Sequence, residues 1–133
     1  MTYQQTLEEL ETALSELIAD NQDIPVIVEG DRDVQALRRL NLTGPIIQFN
    51  QGLSTADFCD MISTRHEAVI LLTDWDHRGG RLHHTLKRNL EYRVHCITKY
   101  RDTFATRSSV RTVESLPAWL TTLKTKALAQ LYK

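Results

Sequence analysis

Apolar residues recur at helical spacing near the start of the chain, with Leu7, Leu10, Leu14, Leu17 and Ile18 on one face, which predicts an amphipathic helix over residues 4–20. Its outer face is acidic. Pro25 closes off any continuation. The β-branched run Pro25-Val26-Ile27-Val28-Glu29 reads as a short buried parallel strand ending in a turn. A second helix is expected from about Asp31, with Val34, Leu37 and Leu40 inward, and Gly44-Pro45 breaks the chain before a second strand, Ile46 to Phe49. Ser54 and Asp57 stand at capping-box spacing ahead of Phe58, Met61 and Ile62, which predicts a third helix. Ala68 to Thr73 is the most apolar strand candidate. The turn from Asp74 to Gly80 leads into a helix carrying Leu82, Leu86 and Leu90, and Val94 to Thr98 reads as a shorter strand nearer the sheet edge. Residues 99–112 show no periodicity. Ser115 is then expected to cap a last helix, 115–131, with Leu116, Leu120, Leu123, Ala127 and Leu131 on one face.

Strands alternating with helices at this spacing imply βαβ units. The expected fold class is therefore α/β, a three-layer arrangement with about four parallel strands between helices. In such a sheet, ligands bind beyond the carboxyl ends of the strands, where crossovers diverge to opposite faces. At 133 residues and 41% hydrophobic content the chain can build one ordinary core, so residues 1–133 are expected to form a single domain.

The longest uncharged apolar run, Ala68 to Leu72, is far short of the roughly 20 residues a membrane span needs. Glu8, Glu9 and Glu11 stand where a signal peptide would be basic and then apolar. Cys59 and Cys96 lie in apolar stretches, far from any C-x-x-C spacing, and read as free buried thiols. These features together point to a cytoplasmic location without membrane association.

The net charge of −1 hides a polarity along the chain: residues 1–37 carry nine acids and one base, and residues 38–133 carry eight acids and fifteen bases. The densest basic stretch, Arg78 to Arg111, holds nine Lys or Arg against Glu91 and Asp102. Scattered bases are usually a solvated surface, but such asymmetry also marks polyanion-binding faces. Arg78, Arg81, Arg101, Arg107 and Arg111 are the candidate phosphate contacts, with Tyr100 and Phe104 able either to stack on bases or to pin the connection to the core.

Two strand ends carry the acids. The first reads Val28-Glu29-Gly30-Asp31-Arg32-Asp33, and the third Thr73-Asp74-Trp75-Asp76-His77-Arg78-Gly79-Gly80. If these strands are neighbours, as in a 2-1-3-4 order, Glu29, Asp74 and Asp76 converge and repel, and a hard divalent cation is the natural neutraliser. Mg²⁺ suits best, because it accepts one or two carboxylates, keeps waters and takes further oxygens from phosphate. Gly30 and Gly79 would allow close backbone approach, and the helix start near Gly80 offers amide donors to an anion. Asp31 and Asp33 stand in a first helical turn, where acids are favoured for structural reasons alone.

The segments Val28-Glu29-Gly30-Asp31-Arg32-Asp33-Val34 and Leu72-Thr73-Asp74-Trp75-Asp76-His77-Arg78-Gly79 resemble the two signatures of the Toprim family, shared by primases, topoisomerases, overcoming-lysogenization-type nucleases and small ribosomal-RNA maturation nucleases. The resemblance runs from about Ile24 to Thr98. It is strongest to small stand-alone archaeal and bacterial Toprim proteins, in which a glutamate-containing segment similar to Val113-Glu114-Ser115-Leu116 follows the core. It implies a Rossmann-like Toprim fold, Glu29 as general acid or base, Asp74 and Asp76 as Mg²⁺ ligands with Mn²⁺ as a substitute, and Asp33 in an assisting role. The implied activity is metal-dependent action on nucleic-acid phosphodiesters, nuclease-like in character. The alternative is a non-catalytic Toprim module that binds DNA, RNA, a protein partner or a second copy of itself.

Two other readings fit less well. Asp74-Trp75-Asp76 also resembles the Asp-x-Asp of haloacid-dehalogenase phosphatases, but those place it on their first strand, and only 57 residues follow Asp76 here. A receiver domain would use adjacent acids after strand one and needs neither Asp76 nor Gly79. No His-Cys spacing resembles a zinc cage, and Trp75 and Trp119 read as packing residues.

Overall fold

Alternate residues of the two central strands face opposite layers, and this divides the core in two. A computed structural model describes residues 1–132; Lys133, the last position of the expected domain, lies outside the described residues. The elements in chain order are α1 (Tyr3–Asn21), β1 (Val26–Val28), α2 (Asp31–Arg39), β2 (Ile46–Gln48), α3 (Thr55–Arg65), β3 (Ala68–Leu71), α4 (His77–Leu90), β4 (His95–Ile97), α5 (Lys99–Arg107) and α6 (Leu116–Leu131).

The four strands form one parallel sheet in the order β2-β1-β3-β4, which makes the two strands that precede the acidic turns neighbours. Val26 pairs with Ile46 on one side and Ile70 on the other, so the most apolar strands occupy the centre. Val26, Val28, Ile70 and Leu72 pack with α1, α2, α5 and α6 through Leu10, Leu17, Leu37, Phe104 and Leu120. Ile27, Val69 and Leu71 pack on the other side with α3 and α4 through Phe58, Ile62, Leu86 and Leu90. The strand after α4 is short and lies at the edge, as its composition predicted.

Local chemistry sets the helix starts. Thr2 caps α1 in a reciprocal capping box with Gln5, and the Ser54 hydroxyl accepts from the Asp57 amide. Ser115 stands at the start of α6 but makes no side-chain cap bond; its own amide donates instead to the Thr112 hydroxyl at 3.3 Å.

The largest departure from the sequence expectation is α5. Residues 99–112 read as irregular, yet Lys99–Arg107 is helical. Its inward stripe is Tyr100, Arg101 and Phe104, and the guanidinium among three buried positions hides the apolar period. Both aromatics are core residues, Tyr100 with its hydroxyl donating to Asp20, which removes them as base-stacking platforms. Cys59 is buried and Cys96 half-buried, and both are free thiols. Among the described residues no helix is long and apolar enough to cross a membrane.

Candidate functional site

Adjacent parallel strands deliver Glu29 and Asp74 to the same edge of the sheet, because β1 and β3 are hydrogen-bonded neighbours that both end there. The Glu29 side chain is only 12% exposed, its nearest cation is the Arg78 guanidinium at 4.0 Å, and its Oε1 is buried without a hydrogen-bond partner. Burial raises the Glu29 carboxyl above its ordinary range, against the nearby Asp74 amide, while Asp33 and Asp76 add to the rise and Arg78 opposes it.

Asp74 is pushed up to about 6, first by burial and then by the carboxylates of Asp33, Glu29 and Asp76, despite the Val113 amide that donates to its Oδ1 at 2.9 Å. Asp76 is the N-cap of α4, its Oδ1 accepting from the Gly79 amide at 2.7 Å. Asp33 closes the turn after β1 by accepting from the Gly30 amide at 3.1 Å, and burial raises its carboxyl as well. The four acids therefore share one field, and three of them already hold a backbone amide.

Those amides limit the site. Among the described residues no three His, Cys, Asp or Glu side chains are gathered closely enough to cage an ion unaided. Convergence of Glu29, Asp74 and Asp76 is thus electrostatic rather than a finished cage, a correction to the expectation of three carboxylates meeting at one point. The donor set still suits a hydrated hard cation, which needs only one or two carboxylates, and the unpaired Glu29 oxygen is the polar atom with most to gain.

The two glycines behave differently from one another. A Cβ on Gly79 would fall 2.2 Å from the Asp74 carbonyl oxygen, so only glycine lets the start of α4 close on the acidic turn. A Cβ on Gly30 would meet only Asn50 Nδ2 at 3.8 Å, so close approach does not require glycine there.

The five arginines do not form one surface. Arg78 and Arg81 are exposed on α4 and Arg111 is exposed beside the acidic turn, where its carbonyl accepts from the Trp75 amide at 3.0 Å. Arg101 is only 9% exposed, and its Nε and Nη2 donate to the carbonyls of Thr73 and Asp74 at 3.0 and 2.8 Å. Its expected role as a phosphate contact is corrected on that ground: the guanidinium is consumed in holding the acidic turn from below. Arg107 pairs with Glu9 on α1 at 2.6 Å and is directed to the acidic side of the molecule.

Other supports escaped the sequence reading. Thr73 is fully buried with its hydroxyl on the Gly79 carbonyl, Trp75 Nε1 donates to the Val110 carbonyl at 2.6 Å, and the Val113 amide orients Asp74. Only Thr73, a polar residue ending an apolar strand, left a signal in the sequence. His83, half-buried beside Arg101, is lowered to about 4 by burial and that cation, so it is neutral at pH 7.

A family description, Toprim domain, matches residues 25–115, a span that contains both acidic turns and the segment that orients Asp74. The chain belongs to the Toprim domain family. A UPF0292 protein of Thermoplasma volcanium is 40% identical over 99 residues, covering 74% of this chain and 83% of its own. A UPF0292 protein of Methanocaldococcus jannaschii is 33% identical over 112 residues, covering 82% and 88%. Among solved structures, a protein from Aquifex aeolicus superposes with a TM-score of 0.69 at 25% identity, over 79% of this chain and 95% of that one. Toprim membership associates the chain with divalent-metal binding and nucleic-acid-related function. In this Toprim domain Glu29-Gly30 follows the end of β1 and Asp74-Trp75-Asp76 lies between β3 and α4.

Proposed function

We infer that this Toprim domain cleaves nucleic-acid phosphodiesters with Mg²⁺, or Mn²⁺ in its place, using Asp74 and Asp76 as metal-holding groups and Glu29 as the proton-transfer group. The observation that carries the reading is Glu29: a nearly buried carboxyl, raised above its ordinary range, with one oxygen free of any partner beside two acids on the neighbouring strand end. A raised carboxyl exchanges protons more effectively near neutral pH than an ordinary one. A divalent cation bound there would stabilise negative charge on phosphoryl oxygens. Arg78, exposed and 4.0 Å from Glu29, is suited to orient a phosphate at the mouth of the site, while Asp33 keeps the turn after β1 closed.

A second reading, a non-catalytic Toprim module that binds nucleic acid, draws support from the lack of a ready three-acid cage among the described residues. The two separate on incubation with labelled single-stranded DNA, duplex DNA and structured RNA in Mg²⁺, Mn²⁺ or EDTA. Cleavage is expected with either metal and not in EDTA, and Glu29→Gln should abolish turnover while leaving binding nearly intact. Binding without cleavage of any substrate in either metal selects the non-catalytic module.

A further inference from the structure

The fourteen residues of α4 include seven Arg, Lys or His and no acid. At 100° per residue, His77, Arg81, His84 and Arg88 fall within an arc of about 60°, spaced about 4.5 to 6 Å along the axis. All four are exposed. The row begins immediately after Asp76, the acid that caps the helix, and runs about 16 Å away from it.

Gly80 interrupts this face. A Cβ there would meet only Arg101 Nη2 at 3.8 Å, an ordinary contact, and the helical backbone at Gly80 suits any residue. Glycine inside a helix is destabilising relative to alanine. Its neighbour Gly79 has a steric reason to be glycine, and Gly80 has none within the fold. Bare backbone at Gly80 contributes to a shallow depression of about 450 Å³ lined by His77, Gly80, Arg81, His84 and Thr85. A glycine that the fold does not need, set in a basic depression, fits close approach by an outside anion.

We propose that this depression seats the phosphodiester backbone of a nucleic acid, with one phosphate against Gly80 and others at Arg81, His84 and Arg88, so that the strand is led to the acidic centre at Asp74 and Asp76. The inference rests on the nucleic-acid reading above and adds the surface that carries the strand. Exposed Arg and His donors repeating along one helix face suit a regularly repeating anion better than the irregular carboxylates of a protein partner.

The test titrates fluorescent single-stranded and duplex oligonucleotides against the protein in EDTA, across a range of salt. Gly80→Ala is expected to raise the melting temperature by about 2–4 °C, as a helix-interior glycine replacement does, and yet to weaken oligonucleotide binding at least fivefold. Those opposite signs cannot come from misfolding. Arg81→Ala with Arg88→Ala should lower the log–log salt slope by about 1.4 for a single strand or about 1.8 for a duplex, which identifies the form that lies on α4. Wild-type binding that persists with unchanged affinity in Gly80→Ala and unchanged slope in the double variant overturns the α4 seat and leaves the nucleic-acid reading standing. Failure of the wild type to bind any oligonucleotide removes that reading itself. Equal displacement of the oligonucleotide by poly-glutamate at matched charge overturns the assignment in favour of an acidic protein partner.

Discussion

The helices α4 and α5 are both basic, follow consecutive strands and sit within one stretch of sequence, yet they use their cations in opposite ways. On α4, a helix that contains no acid, Arg81 and Arg88 face solvent. On α5, Arg101 turns inward and donates to two backbone carbonyls of the acidic turn, and Arg107 is held by Glu9. One helix leaves its charge facing solvent; the other uses it within the protein. Counting bases along a chain cannot separate the two, because burial decides whether a guanidinium meets phosphate or carbonyl.

Arg101→Met separates the two helices most sharply. Loss of the buried guanidinium leaves the Thr73 and Asp74 carbonyls without their donor, and removing one partner of a buried polar contact costs about 2–4 kcal/mol. Urea unfolding should show that loss, whereas Arg81→Met, on an exposed face, should stay within about 0.5 kcal/mol of wild type. Two variants of equal stability would erase the distinction between the helices.

A second effect, of intermediate size, concerns the acid that Arg101 supports. Asp74 is raised from 3.8 to about 6 in the folded protein. Below about pH 3 the carboxyl is protonated in both states; between about 3 and 6 the folded state holds the proton more tightly, so stability falls as pH rises through that window. Above about 6.5 the loss is complete. The raise corresponds to somewhat under 3 kcal/mol at face value, and partial exposure of the side chain reduces this to about 1–2 kcal/mol. Asp74→Asn, which keeps an acceptor for the Val113 amide, should therefore be more stable than wild type at pH 7.5 in EDTA, with the advantage mostly lost at pH 4 and gone by about pH 3. Thermal melts across that range check the sign. An advantage for Asn that persists undiminished at pH 4 would mean that Asp74 does not titrate as burial dictates.

How far the sequence carried these features follows from the kind of signal each leaves. Val26-Ile27-Val28 and Ala68 to Leu71 are apolar runs followed within a few residues by acids, so the strand positions and the strand ends bearing Glu29 and Asp74 were legible, while the strand order entered only as a condition for the acids to meet. The α5 helix was not, because Arg101 reads as polar while occupying an inward position. The amide of Val113 on Asp74 was equally invisible, since any residue but proline supplies that donor. Asp76 as a helix cap was within reach of its spacing to Gly79, although Asp-x-Asp at a strand end reads equally as a metal motif. Gly80 illustrates a different limit: two adjacent glycines look alike in sequence, and only the backbone behind them separates one the fold requires from one it does not.

The smallest expected effect belongs to Arg107. Its pair with Glu9 is short at 2.6 Å, but the two side chains are 40% and 42% exposed, and exposed pairs contribute little because solvent and salt screen them. Arg107→Ala should change stability by no more than about 0.5 kcal/mol. The surroundings also argue against a role in nucleic-acid binding. The neighbouring face of α1 presents Glu8, Glu9 and Glu16 around a depression that reaches Thr103 of α5, and a polyanion approaching there meets like charge. The salt slope for oligonucleotide binding should consequently be the same in Arg107→Ala as in wild type, in contrast to the loss of about 0.7 per single-strand phosphate contact expected for each arginine removed from α4. A drop of that size on removing Arg107 would join α5 to the binding surface and require the strand to cross from α4 over the acidic turn toward α1.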